Sequence, residues 1–81
     1  MKLPRNTDGN ELARLISRYG YRIVHQTGSH QRLHALIRGK DHTITIPLHK
    51  PLRVGTLHRI LKDVAGHLQI SHDQLVGELF G

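Results

Sequence analysis

The sequence predicts an α+β fold in which a three-stranded antiparallel sheet carries helices on one face. Two observations support this prediction. Apolar residues recur at helical spacing near both ends of the chain, and between these stretches they alternate with polar residues, as in half-buried strands. Since a chain of 81 residues buries only about 60% of its extended surface, we expect one two-layered domain, residues 1–81.

The first helix is expected over residues 8–19. Asp8 or Asn10 is suited to cap its N-terminus, and Gly20 ends the apolar pattern. The apolar positions follow the i, i+3, i+4, i+7 spacing of one helix face: Leu12, Leu15, Ile16 and Tyr19. This face is expected to lie in the core.

The first strand is expected over residues 21–26, which are β-prone and lie between two glycines. Its alternation leaves open which face is buried. Tyr21 and Ile23 share one face, and the other carries Arg22, Val24 and Gln26. Residues 27–29 then form a tight connection in which Gly28 is free to adopt a positive φ.

The second and third strands are expected over residues 30–38 and 42–48, joined by a hairpin turn at residues 39–41. In the second strand, alternation directs Leu33, Ala35 and Ile37 inward and His30, Arg32, His34 and Arg38 outward. The third strand directs Ile44, Ile46 and Leu48 inward and Thr43 and Thr45 outward. Pro47 indicates an edge or the end of a strand.

The second helix is expected to start at Gly55 and to end at Gly66. Its apolar residues repeat the spacing of the first helix: Leu57, Ile60, Leu61 and Val64. The spacing of Ser71 and Gln74 is that of a capping box and predicts a short C-terminal helical extension within residues 71–81. That extension either folds back on the domain edge or contacts a partner; the sequence leaves both interpretations open.

The chain is strongly basic, with 12 Lys and Arg against six Asp and Glu and a formal charge of +6 when all eight histidines are neutral. This charge favours a polyanionic partner such as nucleic acid, an anionic membrane or an acidic protein. The outward sheet face and nearby loops supply the cations Arg22, Arg32, Arg38, Lys40 and Lys50, together with His34. Contact with backbone phosphates is one interpretation of this face, and a solvated sheet face is the other. Sparse aromatic residues argue against recognition by base stacking.

Several classes of protein are disfavoured. The chain has no cysteine, so disulfides and thiolate zinc sites are excluded. No apolar run approaches the roughly 18 residues that cross a bilayer, and the first residues lack the apolar segment of a signal peptide, so we expect a cytoplasmic protein with no membrane partner. On a strand, His30 and His34 lie about 13 Å apart, too far to share one zinc ion, so no metal or cofactor is expected.

The tripeptide Gly28-Ser29-His30 places an imidazole where the second strand begins. An unperturbed pKa of about 6.5 lets histidine accept or donate a proton near neutral pH. Taken alone, an exposed histidine at the start of a strand needs no catalytic explanation. The case for a catalytic role of His49 is similar or weaker. Ser29 lacks a carboxylate partner for a triad, so we expect it to stabilise the turn by hydrogen bonding.

Several segments, taken in order, resemble the HicA toxins of bacterial and archaeal toxin-antitoxin pairs. The resemblance covers residues 2–75 and is carried by Leu3-Pro4-Arg5, a helix ending at Gly20-Tyr21, the run at residues 26–30, the strand at residues 43–49 and the segment at residues 55–61. It implies an α-β-β-β-α fold like that of a double-stranded-RNA-binding domain. It also implies a ribonuclease that cleaves messenger RNA, an mRNA interferase, with the histidine of Gly-Ser-His, here His30, as its essential catalytic residue.

The resemblance further implies a HicB-like antitoxin that binds the toxin and blocks this site; an oligomer with that antitoxin, or a toxin without one, are both left open. The residues expected to contact RNA are Arg22, Arg32, His34, Arg38 and Lys50. Of these, Arg32, His34 or Lys50 could stabilise the charge that develops on the phosphate. Two alternatives stand beside this interpretation: a non-catalytic RNA-binding module of the same fold, and a module that binds an acidic protein.

Overall fold

The computed structural model describes residues 3–81 and confirms the predicted α+β fold. Its elements are α1 Gly9–Ile16, continued by one 3₁₀ turn at Ser17–Tyr19; β1 Arg22–Gln26; β2 His30–Ile37; β3 Lys40–Pro47; α2 Val54–Leu68; and α3 His72–Phe80. The strands form one antiparallel sheet in the order β1-β2-β3. The arrangement of α1, the sheet and α2 is consistent with that of a double-stranded-RNA-binding domain. Within residues 3–81, none of the helices combines the length and the apolar character needed to span a membrane.

The core lies between the sheet and the helices, as the apolar periodicities predict. On β2, Leu33 and Ala35 are buried, and their neighbours Arg32 and Leu36 are exposed. The remaining buried apolar residues of the predicted faces are Ile44 and Ile46 of β3, Leu12 and Ile16 of α1, and Leu57, Ile60, Leu61 and Val64 of α2. Asp8 caps α1, since its carboxylate accepts a hydrogen bond of 2.8 Å from the amide of Glu11.

Strand β1 contains a bulge that the alternating pattern did not predict. The pairing register shifts between Ile23 and His25, which leaves Val24 as an extra residue. Cross-strand partners then are Arg22 with His34, His25 with Arg32, and Gln26 with Gln31. Because paired residues share a sheet face, His25 points outward and Gln26 inward. The expectation that Arg22 and Gln26 lie on one face is therefore wrong.

The turn between β2 and β3 lies one residue earlier than predicted. Ile37 pairs with Lys40, so the turn consists of Arg38 and Gly39, both with positive φ (54° and 76°), as a two-residue hairpin turn requires. Arg38 therefore lies outside the alternating pattern of inward and outward side chains along β2. Its guanidinium turns toward the end of α2, where Nη1 donates a hydrogen bond of 2.8 Å to Oε1 of Gln69. The predicted outward placement of Arg38 on the sheet face is wrong.

Helix α2 also runs past its predicted end at Gly66. It continues to Leu68, and Gln69 terminates it with a left-handed φ of 61°, its amide bonding to the carbonyls of Ala65 and Gly66. A glycine inside a helix costs about 1 kcal/mol relative to alanine. The packing of Leu68 against the core favours the two additional residues.

Helix α3 folds back and completes the core. Leu75 and Val76 are fully buried, and Ser71 caps the helix by accepting a hydrogen bond from the amide of Gln74, as the capping box predicts. At the other end of α3, the Tyr19 hydroxyl donates a hydrogen bond of 2.6 Å to the Glu78 carboxylate. Of the two interpretations of this segment, the structure shows the one in which it folds back on the domain.

Candidate nucleic-acid interface

The loop before β2 is shaped by the side chain of Thr27. Its backbone amide donates to the carbonyl of His30 (2.9 Å), and its Oγ1 accepts from the amides of Ser29 (3.3 Å) and His30 (3.1 Å). The φ of Gly28 lies outside the left-handed region, so the expected positive φ at this residue is wrong. The hydroxyl of Thr27 closes the turn instead.

His30 is exposed at the first position of β2. Its Nδ1 lies 2.8 Å from Oγ of Ser29, and Nε2 forms no hydrogen bond with any of residues 3–81. The carbonyl of Ser29 accepts a 2.8 Å hydrogen bond from the amide of Leu48, which ties the loop to the end of β3. The loop therefore holds one ring nitrogen and leaves the other accessible, as proton transfer to a substrate requires.

A basic surface extends from His30 across the outward face of the sheet. Its residues form cross-strand rows: Arg22, His34 and Thr43 in one row; His25, Arg32 and Thr45 in the next; and His30 with Pro47 at the end. We call these residues the outer face. Since directly opposed Cβ atoms lie about 4.5–5.5 Å apart, three predicted RNA contacts, Arg22, Arg32 and His34, lie together.

His25 is a member of the outer face that the sequence analysis missed. It lies on this face only because the bulge at Val24 shifts the parity of β1, and the sequence carried no signal of that bulge.

An acidic residue, Asp41, lies beside His34 of the outer face, and its carboxylate is 2.7 Å from Nε2 of His34. Both side chains are solvent-exposed, so this pair reduces the positive charge only locally.

The two other predicted RNA contacts do not lie in these rows. Arg38 is held at the end of α2, on the helix side of the molecule. Lys50 is exposed in the loop that follows β3, three residues beyond Pro47, the partner of His30. Lys50 therefore lies at the His30 end of the sheet, and Arg38 lies at the opposite end. His49 is exposed in the same loop as Lys50, and its carbonyl accepts a hydrogen bond from the amide of Gly9.

The helix side carries a separate cluster of polar rings. The hydroxyl of Tyr21 lies 2.6 Å from Nδ1 of His42, whose Nε2 lies 3.3 Å from the carboxylate of Asp63. The ring of His67 stacks on His42 with centroids 4.5 Å apart. Burial, with the nearby Asp63 charge, raises the pKa of Tyr21 to about 12. These side chains lie behind the sheet and are remote in the fold from the outer face.

A second pair of rings joins α2 to α3. His58 and His72 meet edge to face with centroids 4.5 Å apart. Burial lowers the pKa of His72, and the nearby imidazole of His58 lowers it further. Across residues 3–81, the structure contains no group of three His, Asp or Glu side chains arranged to hold a metal ion.

The chain was compared with known protein families, curated proteins and solved structures. A family model described as "HicA toxin of bacterial toxin-antitoxin" matches residues 9–65. No curated protein and no solved structure matches the chain. The matched segment begins at the first residue of α1, includes the whole sheet and His30, and ends within α2, so α3 lies outside it.

Proposed function

This chain belongs to the HicA toxin family of bacterial toxin-antitoxin systems, and from that premise we propose that it is a metal-independent endoribonuclease that cleaves messenger RNA with His30. One observation carries the proposal. His30 is exposed at the end of the basic outer face, with Nδ1 held by Ser29 and Nε2 free of hydrogen bonds to residues 3–81. This is the arrangement that proton transfer beside a bound phosphate needs.

The proposed reaction uses the ribose of the substrate as the nucleophile. A base takes the proton of the 2′-hydroxyl, the 2′-oxygen attacks the adjacent phosphorus, and an acid protonates the departing 5′-oxygen. The products are a 2′,3′-cyclic phosphate and a 5′-hydroxyl. His30 serves as the base or the acid through Nε2, and such a group contributes typically about 10²–10⁴-fold to the rate. Arg32 or Lys50 stabilises the charge that develops on the phosphate oxygens.

The outer face is proposed to bind the RNA backbone through Arg22, Arg32 and His34. Arginine and lysine bind phosphates largely without regard to sequence, and the formal charge of +6 attracts the polyanion. We propose that Lys50 extends this contact beyond His30, and that Arg38 takes no part in it because its guanidinium is bound at Gln69. A HicB-like antitoxin is the proposed inhibitor, and it would block cleavage by covering His30.

The experiment is cleavage of a purified messenger RNA by purified protein in the presence of EDTA. Wild-type protein is expected to cut the RNA, and His30→Ala is expected to lose activity by at least about 10²-fold. His25→Ala is the matched control, because His25 is an exposed histidine on the same sheet face. Circular dichroism checks that each variant is folded. Cleavage by His30→Ala at the wild-type rate would show that the catalytic assignment is wrong.

A second candidate function is a non-catalytic RNA-binding module. The cluster of exposed Arg22 and Arg32 on one sheet face favours it, since phosphate binding alone needs no reactive imidazole. This function predicts salt-sensitive retention of RNA without cleavage, and it predicts that His30→Ala weakens retention no more than His25→Ala. If RNA is neither cleaved nor retained even at low salt, both functions fail and a module that binds an acidic protein is favoured.

A further inference from the structure

A groove of about 690 Å³ lies between α1 and the edge strand β1. It is lined by Asn10, Ala13 and Arg14 of α1, by Tyr21 and Ile23 at the sheet edge, and by Gln31 of β2. The groove exists because α1 and α2 pack over β3, which leaves the inner side of β1 uncovered. Ile23 pairs with Leu33 and shares its inward face, but it is 49% exposed and Leu33 is 1% exposed.

The floor of the groove contains a buried polar atom that has no hydrogen-bond partner in the part of the chain that the structure describes. Gln31 is only 3% exposed, and its amide nitrogen donates to Asn10 (3.1 Å) and to Gln26 (3.3 Å). These two bonds orient the amide, and its buried Oε1 accepts no hydrogen bond from residues 3–81. A buried acceptor without a donor is costly, so an occupant that brings an N–H to Oε1 is favoured.

The walls of the groove define the chemistry of that occupant. Arg14 gives the α1 wall of the groove positive charge, and Ala13 and Ile23 supply apolar surface. An extended peptide with acidic and apolar side chains in alternation matches all of these features.

We propose that this groove is a docking site for an extended acidic segment of a partner protein, which lies along the groove between α1 and β1. Its apolar side chains pack against Ile23, its carboxylates face Arg14 on the opposite wall, and one of its N–H groups donates to Oε1 of Gln31. RNA fits less well, because Tyr21, the aromatic residue of the lining, is 2% exposed and offers no face for base stacking.

The docking site and the outer face lie on opposite sides of the sheet. Gln31 and Leu33 point into the groove, and their neighbours His30 and Arg32 point away from it. A segment docked here therefore anchors a partner without itself covering His30. The inference is independent of the proposed function, since it requires neither RNA cleavage nor a catalytic role for His30.

The test is an NMR titration of ¹⁵N-labelled protein with a synthetic peptide of alternating glutamate and valine. We expect the amides of β1 and of α1 to shift. A peptide of alternating lysine and valine is the charge control, and a short single-stranded oligonucleotide is the nucleic-acid control. Shifts confined to the outer face, or groove shifts produced by the oligonucleotide and not by the acidic peptide, would overturn the proposal.

Paired variants locate the binding site. Ile23→Asp and Arg14→Glu should each weaken binding of the acidic peptide by about tenfold. Val24→Asp and Arg59→Glu are their matched controls, because both residues are exposed and neither lines the groove. Gln31→Leu removes the buried acceptor and should weaken binding without lowering the thermal stability of the free protein. Equal losses in the test variants and their controls would contradict the assignment.

Discussion

The hydroxyl of Ser29 lies 2.8 Å from Nδ1 of His30. In either tautomer of the imidazole this contact occupies Nδ1, so Nε2 is the nitrogen left to exchange a proton with a substrate. Ser29 therefore acts as a positioning residue for the proposed reaction. Without its hydroxyl, the ring is free to rotate about its side-chain bonds.

We expect Ser29→Ala to lower kcat for RNA cleavage by about tenfold, less than the loss on removing the imidazole. Ser29→Thr keeps a hydroxyl and should restore most of the rate. The measurement is kcat and KM for each variant. A wild-type kcat in Ser29→Ala would show that the contact does not position the ring.

Arg32 and Arg38 both lie on or next to β2, but their surroundings differ. Arg32 is exposed on the outer face, and Arg38 is bound to Gln69 at the end of α2. Arg32→Ala should weaken RNA binding and reduce the slope of log affinity against log salt by about 1. Arg38→Ala should leave that slope unchanged. Fluorescence anisotropy of a labelled RNA at several salt concentrations measures both, and equal losses would show that the outer face is not the RNA-binding surface.

Gly9, the first residue of α1, packs against the end of β3. A Cβ at this position would overlap the carbonyl oxygen of Pro47 and lie 3.1 Å from Cα of Leu48. Since both neighbours are backbone atoms, Gly9→Ala should lower the free energy of unfolding by about 1–3 kcal/mol. Urea denaturation measures the change.

Gly66 provides the matched control for Gly9. It lies inside α2, and a Cβ there would meet no atom of residues 3–81 within 4 Å other than its chain neighbours and the nearby backbone of its own helix. Gly66→Ala should therefore raise the free energy of unfolding by about 0.5–1 kcal/mol, because alanine loses less backbone entropy than glycine in a helix. If both alanine variants change stability in the same direction, the packing argument at Gly9 is wrong.

His72 makes the stability of the fold depend on pH. Burial lowers its pKa below the ordinary 6.5, and the imidazole of His58 and the charge of Lys62 lower it further, against an opposing effect of Asp73. The unfolded chain therefore binds a proton at a higher pH than the folded chain does. Stability is full above the unfolded pKa and falls as pH drops from 6.5 toward the lowered pKa of the folded state.

We expect His72→Gln to flatten this dependence, and His58→Gln to reduce it by removing a neighbouring positive charge. Urea denaturation at about pH 5 and at about pH 7.5 measures the difference. NMR titration of the His72 ring provides an independent readout of its pKa. An undiminished loss of stability at low pH in both variants would assign the effect to other groups.

The local periodicity of apolar residues correctly predicted the buried face of elements that have one face in the core. The spacing of Leu12 and Ile16 and the alternation of Leu33 and Ala35 predicted the faces that form the core. The same alternation put His30 and Arg32 outward, so part of the outer face followed from the sequence. Periodicity failed where the chain leaves regular geometry, as at the bulge of Val24 and at the left-handed Gln69.

The sequence by itself determined the order of the elements, their buried faces, the family and the exposed position of His30, because these depend on residue type and on spacing within one segment. Only the tertiary structure decided that His25 joins the outer face, that Arg38 turns to α2, that α3 completes the core and that Oε1 of Gln31 lies in a groove without a donor from residues 3–81. Each of these features depends on how segments that are distant in the sequence pack together and form hydrogen bonds. The local pattern of residue types within one segment does not determine them.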